Sequence, residues 1–372
     1  MSKIQQTIRP WLRGLCLSGA LLGAAAATEM PEVPAFVGTD DPVIAFGLSG
    51  VNDWGTAMPF LDIMRVARPF TGVPNMEADA LRAGGHLDAE GWPVRIPEGT
   101  TAVRTLWDWW QSPGAAGRAG RYHLTYEGLG RIAIGGAAQV VAEGRRNLVF
   151  ETAGDGLFWL DILETQPSDP IRNIRIVHQK HRDLDAAGAL FNPTWTARIA
   201  DAREIRFMDW MGTNNSTQER WADRPRPEEA IWTRAGIPLE VMIRLANEIG
   251  ADPWFTLPHA ADDGYVRAFA ETVRAELDPR LKAHVEYSNE VWNPGFQAHH
   301  WLRTQSAEAL GVPHPINWHA KRATEMALLW DEVFGAEADA RLVHVVSGLT
   351  DWHELSEQIL NPEAWAAAEP PK

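Results

Sequence analysis

Residues 252–293 read DPWFTLPHAADDGYVRAFAETVRAELDPRLKAHVEYSNEVWN, and the alternation inside this stretch decides the fold class. Trp254–Leu257 and His284–Tyr287 are short apolar runs rich in β-forming side chains. Between them Val266, Phe269, Ala270, Val273 and Leu277 recur at the spacing that lines one face of a helix. A strand, a helix and a second strand in this order imply two parallel strands joined by a crossover helix.

The pattern extends in both directions. Upstream, Leu239, Met242, Ile243, Ala246 and Ile249 repeat the helical spacing, and Gly250 and Pro253 supply the stop. Ile205–Trp210 precedes that helix as another strand, and Val43–Gly50 reads as an earlier one. Downstream, Pro294 to Gly335 reads as two helices split near Pro313 and Pro315, followed by a strand at Leu342–Val346. Repeated strand and helix units point to a (β/α) TIM-type barrel, an α/β fold.

A region of different character interrupts it. Residues from about 93 to 180 hold short alternating runs at Tyr122–Tyr126, Arg131–Ile134, Gln139–Ala142, Asn147–Glu151, Phe158–Leu163 and Ile171–Val177, separated by Gly-rich turns. Such spacing marks a small antiparallel β domain. The expected organisation is a signal peptide at 1–27, the first barrel strand and its connection at 28–85, an inserted β-sandwich-like domain at 86–180, and the rest of the barrel at 181–372. Only five strands are legible by Val346, so the barrel is read as incomplete at its C-terminus.

Composition narrows the function classes. Lys3, Arg9 and Arg13 precede the apolar run Leu15–Ala27, which ends in small residues, the three-part pattern of a secretory signal. A secreted or periplasmic location follows, with no membrane anchoring once that segment is removed. Cys16, the single cysteine, falls inside it, so disulfides are not expected to support the mature fold. The formal charge of −15 argues against nucleic acid as a partner. Tryptophan outnumbers tyrosine, 18 to 4, and indole faces suit the C–H faces of sugar rings, although a Trp is more often a core side chain. In the cluster Trp107, Trp109 and Trp110, an exposed patch and an anchor for the insertion are equal readings.

Each strand is followed by polar and aromatic residues: GLSGVNDW, DWMGTNN, PHAADD, SNEVWN and SGLTDW. In a (β/α) barrel the C-terminal strand ends converge on one face, where the active site lies. Trp54, Asp209, Trp210, Asn214, His259 and Trp292 are therefore the candidates for contact with a sugar. His259 could equally hold a loop, and Asp209 could cap a turn.

The fourth strand carries HVEYSNEVWN, in which Glu286, Asn289 and Glu290 have the spacing Glu-x-x-Asn-Glu. This resembles the acid/base signature of the retaining (β/α)8 glycoside hydrolases that include many cellulases, mannanases and xylanases. That motif usually continues with Pro where this chain has Val291. The resemblance implies that Glu290 protonates the glycosidic oxygen and later activates water, that Asn289 bonds the sugar 2-hydroxyl, and that the substrate is a β-linked polysaccharide or oligosaccharide. It covers Pro193 to Trp352 and the first strand. A general acid must keep its proton near neutral pH, which an apolar or negative neighbourhood favours; Trp292 and Tyr287 are the candidates to supply it. The nucleophile in that clan stands at the end of the seventh strand, and no counterpart is identified in this chain. Asp209, Asp351 and Glu354 are the substitutes considered.

The competing reading is a non-catalytic polysaccharide-binding protein with a Trp-lined cleft. No cofactor and no metal are called for: there is no HExxH, His178 and His181 lack nearby Cys or carboxylate partners, and His299 and His300 are adjacent on one helix. P-loop, GxGxxG after a strand and GxSxG motifs are also absent from the sequence.

Overall fold

A computed structural model of the chain describes residues 43–112 and 117–361. The expected signal segment and Cys16 lie outside them. Thirteen strands are found among the described residues: β1 Ile44–Gly47, β2 Thr71–Val73, β3 Ala102–Asp108, β4 Gly120–Glu127, β5 Gly130–Gly136, β6 Ala138–Gly144, β7 Asn147–Thr152, β8 Leu157–Thr165, β9 Arg172–His178, β10 Ala202–Arg206, β11 Asp252–Leu257, β12 Ala283–Tyr287 and β13 Leu342–Val345.

The fold is mixed α/β. Strands β1, β10, β11, β12 and β13 form a five-stranded parallel sheet in that order, so strands consecutive along this half of the chain are neighbours in space. β1 and β13 are its edges, and no pairing between them closes the sheet among the described residues. Crossovers run through the helices Leu239–Ile249, Asp263–Glu276, Gln297–Leu310 and Pro315–Phe334. Helix Leu239–Ile249 stops at Gly250, whose φ of 69° is the left-handed conformation that a residue without Cβ adopts freely. Helix Pro315–Phe334 begins on its proline, which needs no hydrogen-bond acceptor at that position.

Alternation along the strands separates two faces. Ile205, Phe255, Leu257 and Val285 are at most 1% exposed. Phe255 packs edge-on against Phe269 of helix Asp263–Glu276 at 5.2 Å, and Phe269 meets Trp330 at 6.0 Å. The other face carries Arg206, Trp254, His284 and Glu286, with Arg206 in register with Trp254 and Trp254 with His284. A buried apolar face and a polar one explain why the strands read as apolar runs broken by single polar residues.

One expected boundary shifts. Pairing in the second parallel strand ends at Arg206, and Phe207–Trp210 belong to a tight turn in which Met211 N–H donates to the Phe207 carbonyl at 2.9 Å. Phe207 and Trp210 are nevertheless 0% and 2% exposed, so the turn dips into the core and its composition resembles that of a strand.

Between β1 and β10 lie two four-stranded antiparallel sheets, ordered β2-β3-β8-β5 and β6-β7-β4-β9. Aromatic rings meet between them: Phe150 of one sheet packs against Phe158 of the other at 5.9 Å, and Trp109, after β3, against Tyr122 at 6.1 Å, while Trp107 stacks on Phe158 and Tyr122 on Phe150 within each sheet. Two inner faces interdigitating in this way make a β-sandwich. Its strand β3 was not foreseen, because Ala102–Asp108 mixes Arg, Thr and Asp with its apolar residues and shows weak alternation. No helix among the described residues is long and apolar enough to cross a membrane.

Candidate functional site at the strand ends

One carboxylate ties the polar face of the parallel sheet together. Glu286 Oε2 on β12 accepts hydrogen bonds from Arg206 Nη2 on β10 at 2.7 Å and from Trp254 Nε1 on β11 at 2.9 Å. Its Oε1 accepts from the hydroxyl of Ser347, two residues beyond β13. Glu286 is 1% exposed, yet its charge is matched by Arg206 and its oxygens by four donor contacts, counting Arg206 Nε at 3.3 Å. The Arg206 guanidinium also lies over the Trp254 ring, 4.9 Å from its centroid.

The same guanidinium reaches the next candidate residue. Arg206 Nη2 donates to Asn289 Oδ1 at 2.8 Å, and Asn289 Nδ2 donates to Asn214 Oδ1 at 2.8 Å. With its carbonyl oxygen turned to Arg206 and its amide to Asn214, Asn289 is fixed on both sides. Asn214 sits in the short 3-10 turn Thr213–Asn215, which follows the left-handed Gly212. Thr213 anchors that turn through hydroxyl bonds to Met208 and Thr256, both at 3.1 Å to the carbonyl oxygens.

Beyond β12 the backbone is unusual. Ser288 and Glu290 have φ values of 59° and 41°, left-handed conformations that side chains with a Cβ seldom adopt. Such geometry persists only where the surroundings hold it, and here Ser288 N–H donates to the Leu257 carbonyl while Asn293 N–H donates to that of Glu290. The Glu290 carboxylate accepts from Asn293 Nδ2 at 3.1 Å and is partly exposed, as is Trp292. Tyr287, by contrast, is buried and donates its hydroxyl to the His259 carbonyl at 2.6 Å; burial pushes that hydroxyl's pKa up.

Trp54, Asp209 and Trp210 come together elsewhere on the strand ends. They line a cleft of about 640 Å³ between the segments that follow β1 and β10, with Asn215, Thr217 and Arg234 also in its wall. That volume is within the range of ligand pockets, roughly 300–1,000 Å³. Trp54 is 40% exposed there, and Arg68 lies over its ring at 5.3 Å. Trp210 is a core side chain: 2% exposed, it stacks on Trp195 at 5.8 Å and packs against Phe60 and Phe207. The cleft and the Asn289 network meet through one turn, since Asn214 bonds Asn289 while its neighbour Asn215 lines the cleft and accepts from Gln297 N–H.

His259 lies under this surface rather than on it. It is 4% exposed, packs edge-on against Trp301 at 5.4 Å and leaves Nδ1 without a partner; burial lowers its pKa to about 4, so it is neutral near pH 7. Glu354 lines a separate polar depression with His314 and Glu357. Among the described residues no group of His, Cys, Asp and Glu is arranged to hold a metal ion.

Arg206, Trp254 and Ser347 are partners in the candidate site that sequence reading missed. Arg206 stands between the fully buried Ile205 and Phe207, and a charge between two core residues is the signal that could have found it, because it needs a partner. Comparison with known proteins returned no match, whether among family models, curated proteins or solved structures.

Proposed function

We propose that this protein is a glycoside hydrolase acting on a β-linked polysaccharide, with Glu290 as the acid/base, and that its parallel sheet is part of a (β/α) barrel. The observation that carries the reading is the fixed pair at the end of β12: Asn289, held by Arg206 and Asn214, immediately before a partly exposed Glu290 on a left-handed backbone. A buried anchor holds this polar turn rigid, as acid/base chemistry requires of its donors. Glu290 would protonate the glycosidic oxygen. Asn289 would hydrogen-bond the sugar 2-hydroxyl through the second N–H of its amide as oxocarbenium character develops.

A retaining mechanism needs a second carboxylate about 5–5.5 Å away. Glu286 does not fit that role, being buried and already surrounded by donors. Asp209, exposed at the cleft, is the better placed of the substitutes, since Glu354 faces a different depression. The saturation of Glu286 also favours a second reading, a polysaccharide-binding protein that uses the same strand ends without cleaving. Reducing-sugar release from β-glucan, mannan and xylan separates the two, since a binding protein retains polysaccharide and releases nothing. Export through an N-terminal signal fits either reading.

A further inference from the structure

We propose that the inserted β-sandwich extends the sugar-binding surface through Trp110, so that the ligand is a polymer spanning both the cleft and the sandwich rather than a short oligosaccharide. The inference rests on the carbohydrate reading of the cleft. Trp54, Trp110 and Trp352 are the exposed tryptophans among the described residues, at 40%, 71% and 38%. Trp54 and Trp352 follow β1 and β13, whereas Trp110 belongs to the sandwich, in the 3-10 turn after β3.

Trp110 does nothing for the sandwich core. Its neighbours Trp107 and Trp109 anchor that core at 0% and 1% exposure, Trp107 donating its indole N–H to the Ile63 carbonyl at 3.0 Å. The turn between them is pinned by Trp109 N–H to the Gly156 carbonyl at 3.1 Å. The Trp110 indole lies over Gly156, where an added Cβ would stand 3.8 Å from Nε1. Mostly in water on a pinned turn, the Trp110 indole has a face free to stack on a ligand.

The turn is locked to the loop that carries Trp54. Asp53 Oδ2 accepts from Asp108 N–H at 2.7 Å, and Arg68 bridges Asp53 at 2.9 Å and Asp108 at 3.3 Å. Asp53 is 2% exposed, so this junction is firm. Trp54 is one residue from it and Trp110 two, which limits their Cα atoms to no more than roughly 20 Å apart, the length of a few sugar units. Ser112, two residues past Trp110, also donates its hydroxyl to the Trp54 carbonyl, so both indoles stand on one rigid frame and offer successive platforms to one glycan chain, whereas a ligand confined to the cleft, whose wall includes Trp54 and not Trp110, meets only the first.

The test uses the full chain carrying Glu290→Gln to prevent turnover, with and without Trp110→Ala or Trp54→Ala. Binding to soluble β-glucan, mannan and xylan and to the matching trisaccharides is measured by affinity electrophoresis and calorimetry. Trp110→Ala is expected to weaken polymer binding about tenfold and to leave trisaccharide binding unchanged, while Trp54→Ala weakens both. An unaltered polymer affinity in Trp110→Ala, or an equal loss for trisaccharide, overturns this inference alone. Failure of the parent chain to bind any of the polymers overturns it together with the carbohydrate reading.

Discussion

Arg206 and Glu286 face each other at 2.7 Å across the parallel sheet, on strands separated by β11, and the same arginine nitrogen holds Asn289 at 2.8 Å. The pair therefore links the interior of the sheet to the turn proposed to do chemistry. Removing Arg206 leaves Glu286 charged and buried. Arg206→Met should destabilise the protein by about 3–5 kcal/mol, against a smaller loss for the double variant Arg206→Met/Glu286→Met, in which no charge is stranded. Urea unfolding of the three proteins measures the difference; equal losses in single and double variants would mean that the ion pair is solvated.

Asn289 separates positioning from binding. Asn289→Ala is expected to lower kcat/KM by roughly 10²-fold, since contact with the 2-hydroxyl contributes several kcal/mol in the transition state of glycoside cleavage. Thermal stability should fall only slightly, because Arg206 keeps Glu286 as its main partner. Steady-state kinetics beside a melting curve distinguish this from a structural role, in which activity and stability would fall together.

Two tryptophans that look alike in sequence should behave in opposite ways. Trp210→Ala empties a packed site among Phe60, Trp195 and Phe207 and should cost about 3–5 kcal/mol of stability. Trp54→Ala, at a half-exposed ring, should leave stability nearly unchanged and weaken polysaccharide binding. Denaturant titration and a binding isotherm for each variant check both halves.

Buried histidines make the fold sensitive to acid. Burial lowers His181, His259 and His319 to about 4 from the ordinary 6.5, and they are at most 8% exposed. Because the folded pKa values lie below the unfolded ones, the unfolded chain binds more protons between pH 6.5 and 4. Stability is thus fully present above about pH 6.5 and is lost as pH falls towards 4, by about 3 kcal/mol for each fully buried ring. His319 is the cleanest case, with both ring nitrogens unpartnered beside Tyr287. His319→Leu should flatten the pH dependence of unfolding free energy in that window; an unchanged slope would mean that the ring is hydrated.

Much of the architecture was legible because periodicity reports burial. Helix Leu239–Ile249 and strands β11 and β12 follow from the spacing of their apolar residues, as does the split between the helices at Gln297–Leu310 and Pro315–Phe334. Strand β3 escaped because Arg104, Thr105 and Asp108 are bonded to partners far along the chain, which composition cannot reveal. The site divides in the same way. Asn289 and Glu290 are adjacent in sequence and were read together, whereas Arg206 lies 80 residues from Glu286 and Ser347 lies 61 residues from it. Trp210 was read as a sugar platform because a strand-end Trp and a core Trp are the same letter; the turn that tucks it beside Trp195 is a tertiary feature.

Reducing-sugar release from β-glucan, mannan and xylan by the wild-type chain and by Glu290→Gln tests the central claim most directly. The account predicts release by the wild type and a loss of about 10²–10⁴-fold in the variant, with polysaccharide binding retained. Equal release by both proteins, or binding without release by the wild type, would contradict the assignment of Glu290 as a catalytic acid/base.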